Sequence, residues 1–134
     1  VFNFYRPDYS PNGNIGDAGL TAPEFQIHND VSSLHLANGL TTLINHGLAG
    51  GDYGNIGQRN YIEAVPDYSH EITLASNTTD LLNHLDLLLC AGRLTAANKE
   101  QLQSAITDAE LTGIDKVKYL ANLIVLCPEF NTLY

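Results

Sequence analysis

Apolar positions recur at helical spacing in four stretches of this chain, and each stretch is bounded by residues that start or stop helices. The first runs from about Val31 to His46, with Asn29 or Asp30 as its cap and Gly47 in the C-terminal position that favours a left-handed backbone. Leu36, Ala37, Leu40, Leu43 and Ile44 share one face of it, and His35, Asn38, Thr42, Asn45 and His46 share the other, which predicts an amphipathic core helix. The second, Thr79 to Ala91, starts at Asn77 or Thr78, is closed by Gly92 and carries the stripe Leu81, Leu82, Leu85, Leu88 and Leu89. Thr95 caps a third, more polar helix to about Ala109, on the narrow stripe Leu102, Ala105, Ile106 and Ala109. The fourth, about Ile114 to Leu126, has the face Ile114, Val117, Leu120, Ala121 and Ile124 and stops before Pro128, whose ring excludes a continuing helix.

Two of these helices are apolar on a second side. Leu87 and Cys90 lie off the main stripe of the second, and Tyr119, Leu123 and Leu126 occupy the reverse of the fourth. Such helices are sandwiched. Either the N-terminal arm covers the second face or another part of a parent molecule does, and Leu87, Tyr119, Leu123 and Leu126 are the candidate interface.

The remaining segments break the periodicity. Residues 1–28 are dense in turn formers, among them Arg6-Pro7-Asp8, Ser10-Pro11-Asn12-Gly13-Asn14 and Ala22-Pro23-Glu24, yet carry Phe2, Phe4, Tyr5, Tyr9, Ile15, Leu20, Phe25 and Ile27. That is too apolar for a disordered tail, so an ordered irregular arm is expected, with Phe2, Phe4, Tyr5 and Phe25 largely buried. Residues 48–76 read as a long loop with a short helix around Ser69 to Ala75. The predicted fold is mainly α: a single domain over 1–134, with an arm at 1–28, a helix at 29–47, the loop, and a three-helix cluster at 77–127.

Composition narrows the partners. The 134 residues include 15 acidic and 6 basic side chains, a net charge of −9, and the basic ones are scattered, which argues against nucleic acid. No apolar run approaches the roughly 20 residues of a membrane span. The complete absence of methionine leads us to expect a piece of a longer gene product.

Motifs for chemistry are sparse. Gly-x-Ser-x-Gly, Walker A, Gly-x-Gly-x-x-Gly and close-spaced His or Cys zinc patterns are absent, so no cofactor is expected. His35 and His46 are about 16 Å apart along one helix and cannot share an ion. Asp8, Asn12, Asn14 and Asp17 could gather calcium, but their spacing is not that of an EF-hand and turn chemistry explains the same residue types. Cys90 and Cys127 each end an apolar helix; they are buried thiols in a reducing compartment or a disulfide in an oxidising one. Asn77-Thr78-Thr79 is a formal glycosylation sequon that helix capping explains as well.

Three segments carry a family resemblance. Val1-Phe2-Asn3-Phe4-Tyr5-Arg6-Pro7 with Tyr9-Ser10-Pro11, then Ala18 to Gln26, and later Leu85 to Leu94 together with Cys127-Pro128-Glu129-Phe130, resemble the C-terminal region of the bacterial DUF1800 proteins. The resemblance implies the end of a longer, largely helical, exported protein of unestablished activity, and supplies no catalytic residues. The two cysteines lie outside its pattern. The expected role is a structural or interaction module docking on the rest of its parent polypeptide, on another copy or on an extracellular assembly. The alternative is a non-autonomous part of an exported enzyme, with Arg6, Asp8, Glu24 and His28 as its contributions from this chain.

Overall fold

The computed structural model describes residues 6–27, 30–50 and 61–131. The chain is mainly α-helical and divides into two compact units, Val1–Asn38 and Gly39–Tyr134. Its elements are α1 (Asn14–Asp17), a 3₁₀ turn at Pro23–Gln26, α2 (Asp30–His46), β1 (Leu48–Gly50), β2 (Tyr61–Ala64), α3 (Ser69–Leu74), α4 (Thr78–Cys90), α5 (Ala96–Ala109), α6 (Gly113–Ile124) and α7 (Pro128–Asn131). The unit boundary falls inside α2.

The N-terminal unit is ordered by hydrogen bonds. The Gln26 side chain binds both backbone groups of Arg6, accepting from its N–H and donating to its carbonyl at 3.0 Å each, and also donates to the Pro23 carbonyl. Ser10 donates to the Leu20 carbonyl at 2.9 Å and Ala22 N–H to the Tyr9 carbonyl at 2.8 Å. Gly16 packs against the Pro11 carbonyl so closely that a Cβ would collide with it. Burial contributes less than expected: Ala22 is buried, but Leu20, Phe25 and Ile27 are exposed. Phe25 was expected inside and is not, because polar cross-links rather than a shared apolar core close this segment. Phe2, Phe4 and Tyr5 lie outside the described residues.

In the larger unit α6 is central and packs on α3, α4 and α5, while α4 also meets α3, α5 and α7. The core is Leu81, Leu82, Leu85 and Cys90 of α4, Leu102 and Ile106 of α5, and Val117, Leu120 and Ile124 of α6, with Ala75 and Leu94. Tyr68, Leu74, Leu89, Leu123, Cys127 and Phe130 pack around it. Each fully buried leucine stabilises the fold by about 1.5–3 kcal/mol. Leu40, Leu43 and Ile44 of α2 are only half-buried, which makes the second half of that helix a flank rather than a core element.

The helix boundaries follow local chemistry. Asn77 caps α4, its side-chain oxygen accepting from the Thr79 and Asp80 amides, and its amide donates to Asp80 at 2.7 Å. Thr95 caps α5 by accepting from the Asn98 amide. Lysines of α6 satisfy the ends of other helices: Lys116 donates to the Ala75 carbonyl beyond α3 and Lys118 to the Asn45 carbonyl in the last turn of α2, both at 3.0 Å.

Three features depart from the periodicity. The stretch read as a loop contains an antiparallel pair, Leu48 opposite Ala64, Ala49 opposite Ile62 and Gly50 opposite Tyr61. Gly47 makes this possible: its φ of 80° turns the chain out of α2, and a Cβ there would collide with the Ala64 carbonyl. Pro128 begins α7 rather than only ending α6, since its missing N–H is free to start a helix. Finally, α4 is closed by Ala91 at φ 54° ahead of Gly92 at φ 74°. The left-handed conformation costs an L-residue about 1–2 kcal/mol, partly offset by the extra freedom glycine gives the unfolded chain. Ala91→Gly is therefore expected to stabilise by about 0.5–1 kcal/mol. An unchanged urea midpoint would show that Ala91 carries no such cost.

Candidate functional site

Packing of α4 and α6 by their inner faces leaves part of their outer faces bare. Leu87 on α4 is 66% exposed, Leu126 just beyond α6 is 57% exposed and Tyr119 is 36% exposed. Leu123 differs from the sequence expectation, being half-buried against the core, so the outward surface of α6 is narrower than its pattern suggests. Leu88 is also exposed.

The larger unit also holds two buried carboxylates that periodicity does not reveal. Asp86 is 1% exposed and sits at the inner side of α4. One oxygen accepts from the Leu94 amide at 3.0 Å and the other pairs with Lys99 of α5 at 2.8 Å. Glu129 of α7 accepts from the Thr95 backbone amide at 3.1 Å, and its two carboxylate oxygens accept from the Asn98 side-chain Nδ2 at 2.7 and 2.9 Å. Together they fasten the α4–α5 turn and the start of α5, where a negative charge also meets the positive end of the helix dipole. Backbone and side-chain hydrogen bonds, the Thr95 amide foremost, hold the Glu129 carboxyl below its ordinary value. These carboxylates lie within the two resemblance segments around residues 85–94 and 127–130, and in this fold their work is architectural.

A cleft opens between α2, α3, α4, α6 and α7 within the larger unit. Its volume is about 260 Å³. Its walls are Leu40, Leu43 and Ile44 on one side, Leu85, Leu88 and Leu89 on another, and Ala121, Val125 and Phe130 at the base. Its polar lining is Asp67, Tyr68 and Glu71, all at the start of α3. The Tyr68 hydroxyl donates to the Ile44 carbonyl at 2.9 Å and so ties α3 to α2. Burial, and then the Glu71 charge, push the Tyr68 phenol up. Asp67 accepts from the Ser69 amide at 2.9 Å, and this bond draws its carboxyl down. Burial opposes ionisation of Glu71, yet the hydrogen bond with His84 at 2.9 Å brings its carboxyl below the ordinary value. The His84 ring in turn meets His70 edge-on, with centroids 5.0 Å apart.

The other residues singled out by sequence do not converge. Asn14 and Asp17 lie in the single turn of α1, and among the described residues no group of three or more His, Cys, Asp or Glu side chains is placed to hold a metal ion. Asp8 and Asn12 lie in the preceding turns of the N-terminal unit. Arg6, Asp8 and Glu24 are exposed there, and His28 lies outside the described residues. Cys90 and Cys127 are both free thiols. They belong to one apolar neighbourhood, Cys90 fully buried within the core and Cys127 packed against it. Burial raises both thiols above their ordinary value, which makes them weak nucleophiles. No helix among the described residues is long and apolar enough to cross a membrane. Sequence reasoning missed the cleft because its lining comes from five separate elements, and missed Asp86 and Glu129 because a lone acid in an apolar run carries no signal of its partner. Comparison with known protein families, with curated proteins and with solved structures finds no match to this chain.

Proposed function

We propose that this chain is an interaction module of an exported bacterial protein of the DUF1800 kind, docking on the rest of its parent polypeptide. The observation that carries the reading is the exposure of Leu87 on α4 and of Leu126 just beyond α6, at 66% and 57%, beside helices whose inner faces are already filled. Exposed leucines taken singly are ordinary, but Leu87, Tyr119 and Leu126 all belong to the same helical unit. Docking on a second copy or on an extracellular assembly would use the same surface. The acidic balance of the chain, −9, favours a partner face with basic residues around an apolar centre.

Sedimentation velocity over a concentration series, with the chain alone and with the remaining polypeptide added in trans, tests this. Association is expected, and Leu87→Ser with Leu126→Ser should weaken it about tenfold or more while leaving the far-ultraviolet circular dichroism unchanged. A chain that stays monomeric and shows no affinity for the added polypeptide overturns the proposal.

A further inference from the structure

Beyond that reading, and independent of it, we propose that the cleft between α2, α3, α4, α6 and α7 binds a small organic amine whose apolar body fills the pocket and whose ammonium group meets Asp67 and Glu71. Shape comes first. A volume of about 260 Å³ lies just under the range of ~300–1,000 Å³ typical of ligand cavities, so the occupant is smaller than a nucleotide or a sugar oligomer. Leu43, Ile44, Leu85, Leu89, Val125 and Phe130 give it walls that offer no hydrogen bonds from their side chains, which calls for an aliphatic or aromatic body.

Charge decides the other end of the ligand. Among the described residues, the charged groups that line the cleft are both carboxylates, and no Lys or Arg is among them. Lys118 lies 5.9 Å from the centre of the Tyr68 ring, but it donates to the Asn45 carbonyl and is not part of the lining. The carboxylates already hold one partner each, Ser69 for Asp67 and His84 for Glu71. A carboxylate can accept about four hydrogen bonds, so both retain capacity for an N–H donor. The Tyr68 hydroxyl, by contrast, is committed to the Ile44 carbonyl. An anion would meet two like charges, and a neutral alcohol would forgo the charge-assisted bond; an ammonium group fits both constraints.

Isothermal titration of the whole chain with phenethylamine, protonated at neutral pH, tests the assignment against 2-phenylethanol as the neutral counterpart and 3-phenylpropionate as the anion. The amine is expected to bind about tenfold or more tighter than the alcohol, and the anion not to bind. Asp67→Asn should reduce the preference for amine over alcohol, and adding Glu71→Gln should abolish it. Asp67 is exposed, so its variant tests the idea even where loss of the Glu71–His84 bond disturbs α3. Leu88→Arg, at an exposed wall position, should prevent amine binding by placing a cation at the mouth. Equal binding of amine and alcohol, no binding of either, or an amine preference untouched by Asp67→Asn overturns the proposal.

Discussion

Leu120→Ala is expected to lower the unfolding free energy by about 3–4 kcal/mol, near the upper part of the range for large-to-small core changes. Leu120 is 0% exposed, and so are Val117 and Ile124 on the same face of α6. Because α6 packs on α3, α4 and α5 at once, a void at its centre is bounded by three other helices. No single neighbour can move in without leaving another, so the cavity term adds to the lost transfer free energy. Leu102→Ala, at a site that is 7% exposed on α5, should cost less because solvent already reaches its edge. Urea denaturation of the two variants checks the order. A loss at Leu120 smaller than that at Leu102 would mean that α6 is not the centre of the core.

Asp86→Ala is expected to cost about 2–3 kcal/mol, the usual scale for a hydrogen bond to a charged group together with the partner it leaves unpaired. The variant strands the Leu94 amide in a buried position and leaves Lys99 with its bond to Asn83 Oδ1 at 3.1 Å. Breaking a fully buried ion pair would cost about 3–5 kcal/mol. Here the Lys99 side chain is 31% exposed and can turn to water, so no charge is left buried and the lower figure applies. Asp86→Asn keeps an acceptor for the Leu94 amide and should lose less than Asp86→Ala. Thermal unfolding of both variants measures the difference, and an Asp86→Ala protein as stable as the parent would remove the carboxylate from the list of supports. Glu129 on the other side of the turn gives the same clamp a pH dependence. Its folded pKa lies below its ordinary value, so its contribution is complete at neutral pH and is lost as pH falls from the ordinary glutamate range through the folded value.

Helix positions were legible because their signals are local. Asn77 and Thr95 announce helix starts through a side-chain oxygen that reaches an amide two or three residues on, and Gly47 announces an end through its tolerance of positive φ. The stripes on α4, α5 and α6 were likewise sufficient to name Leu81, Leu85, Leu102, Ile106, Val117, Leu120 and Ile124 as core. The amino-acid order alone therefore determined the mainly α class and the four long helices, since capping and amphipathicity operate within one or two turns, but not every buried face: Leu36 of α2 and Leu88 of α4, on the expected inner stripes, are exposed, and Cys90, expected off the stripe, is buried in the core. The tertiary structure alone decided the rest. The pairing of Leu48 with Ala64 spans 16 residues and rests on one glycine meeting a distant carbonyl. The Glu129–Thr95 and Asp86–Lys99 contacts bring together groups on different helices, and hydropathy assigns an isolated acid to solvent whatever lies opposite it. Leu123 and Leu126 are three residues apart on one side of the same pattern, yet one packs against the core and the other faces outward, because only the neighbours that α6 acquires on folding distinguish them. The cleft is the extreme case: its walls come from five helices, and a cavity is a property of their arrangement in space that no single segment encodes.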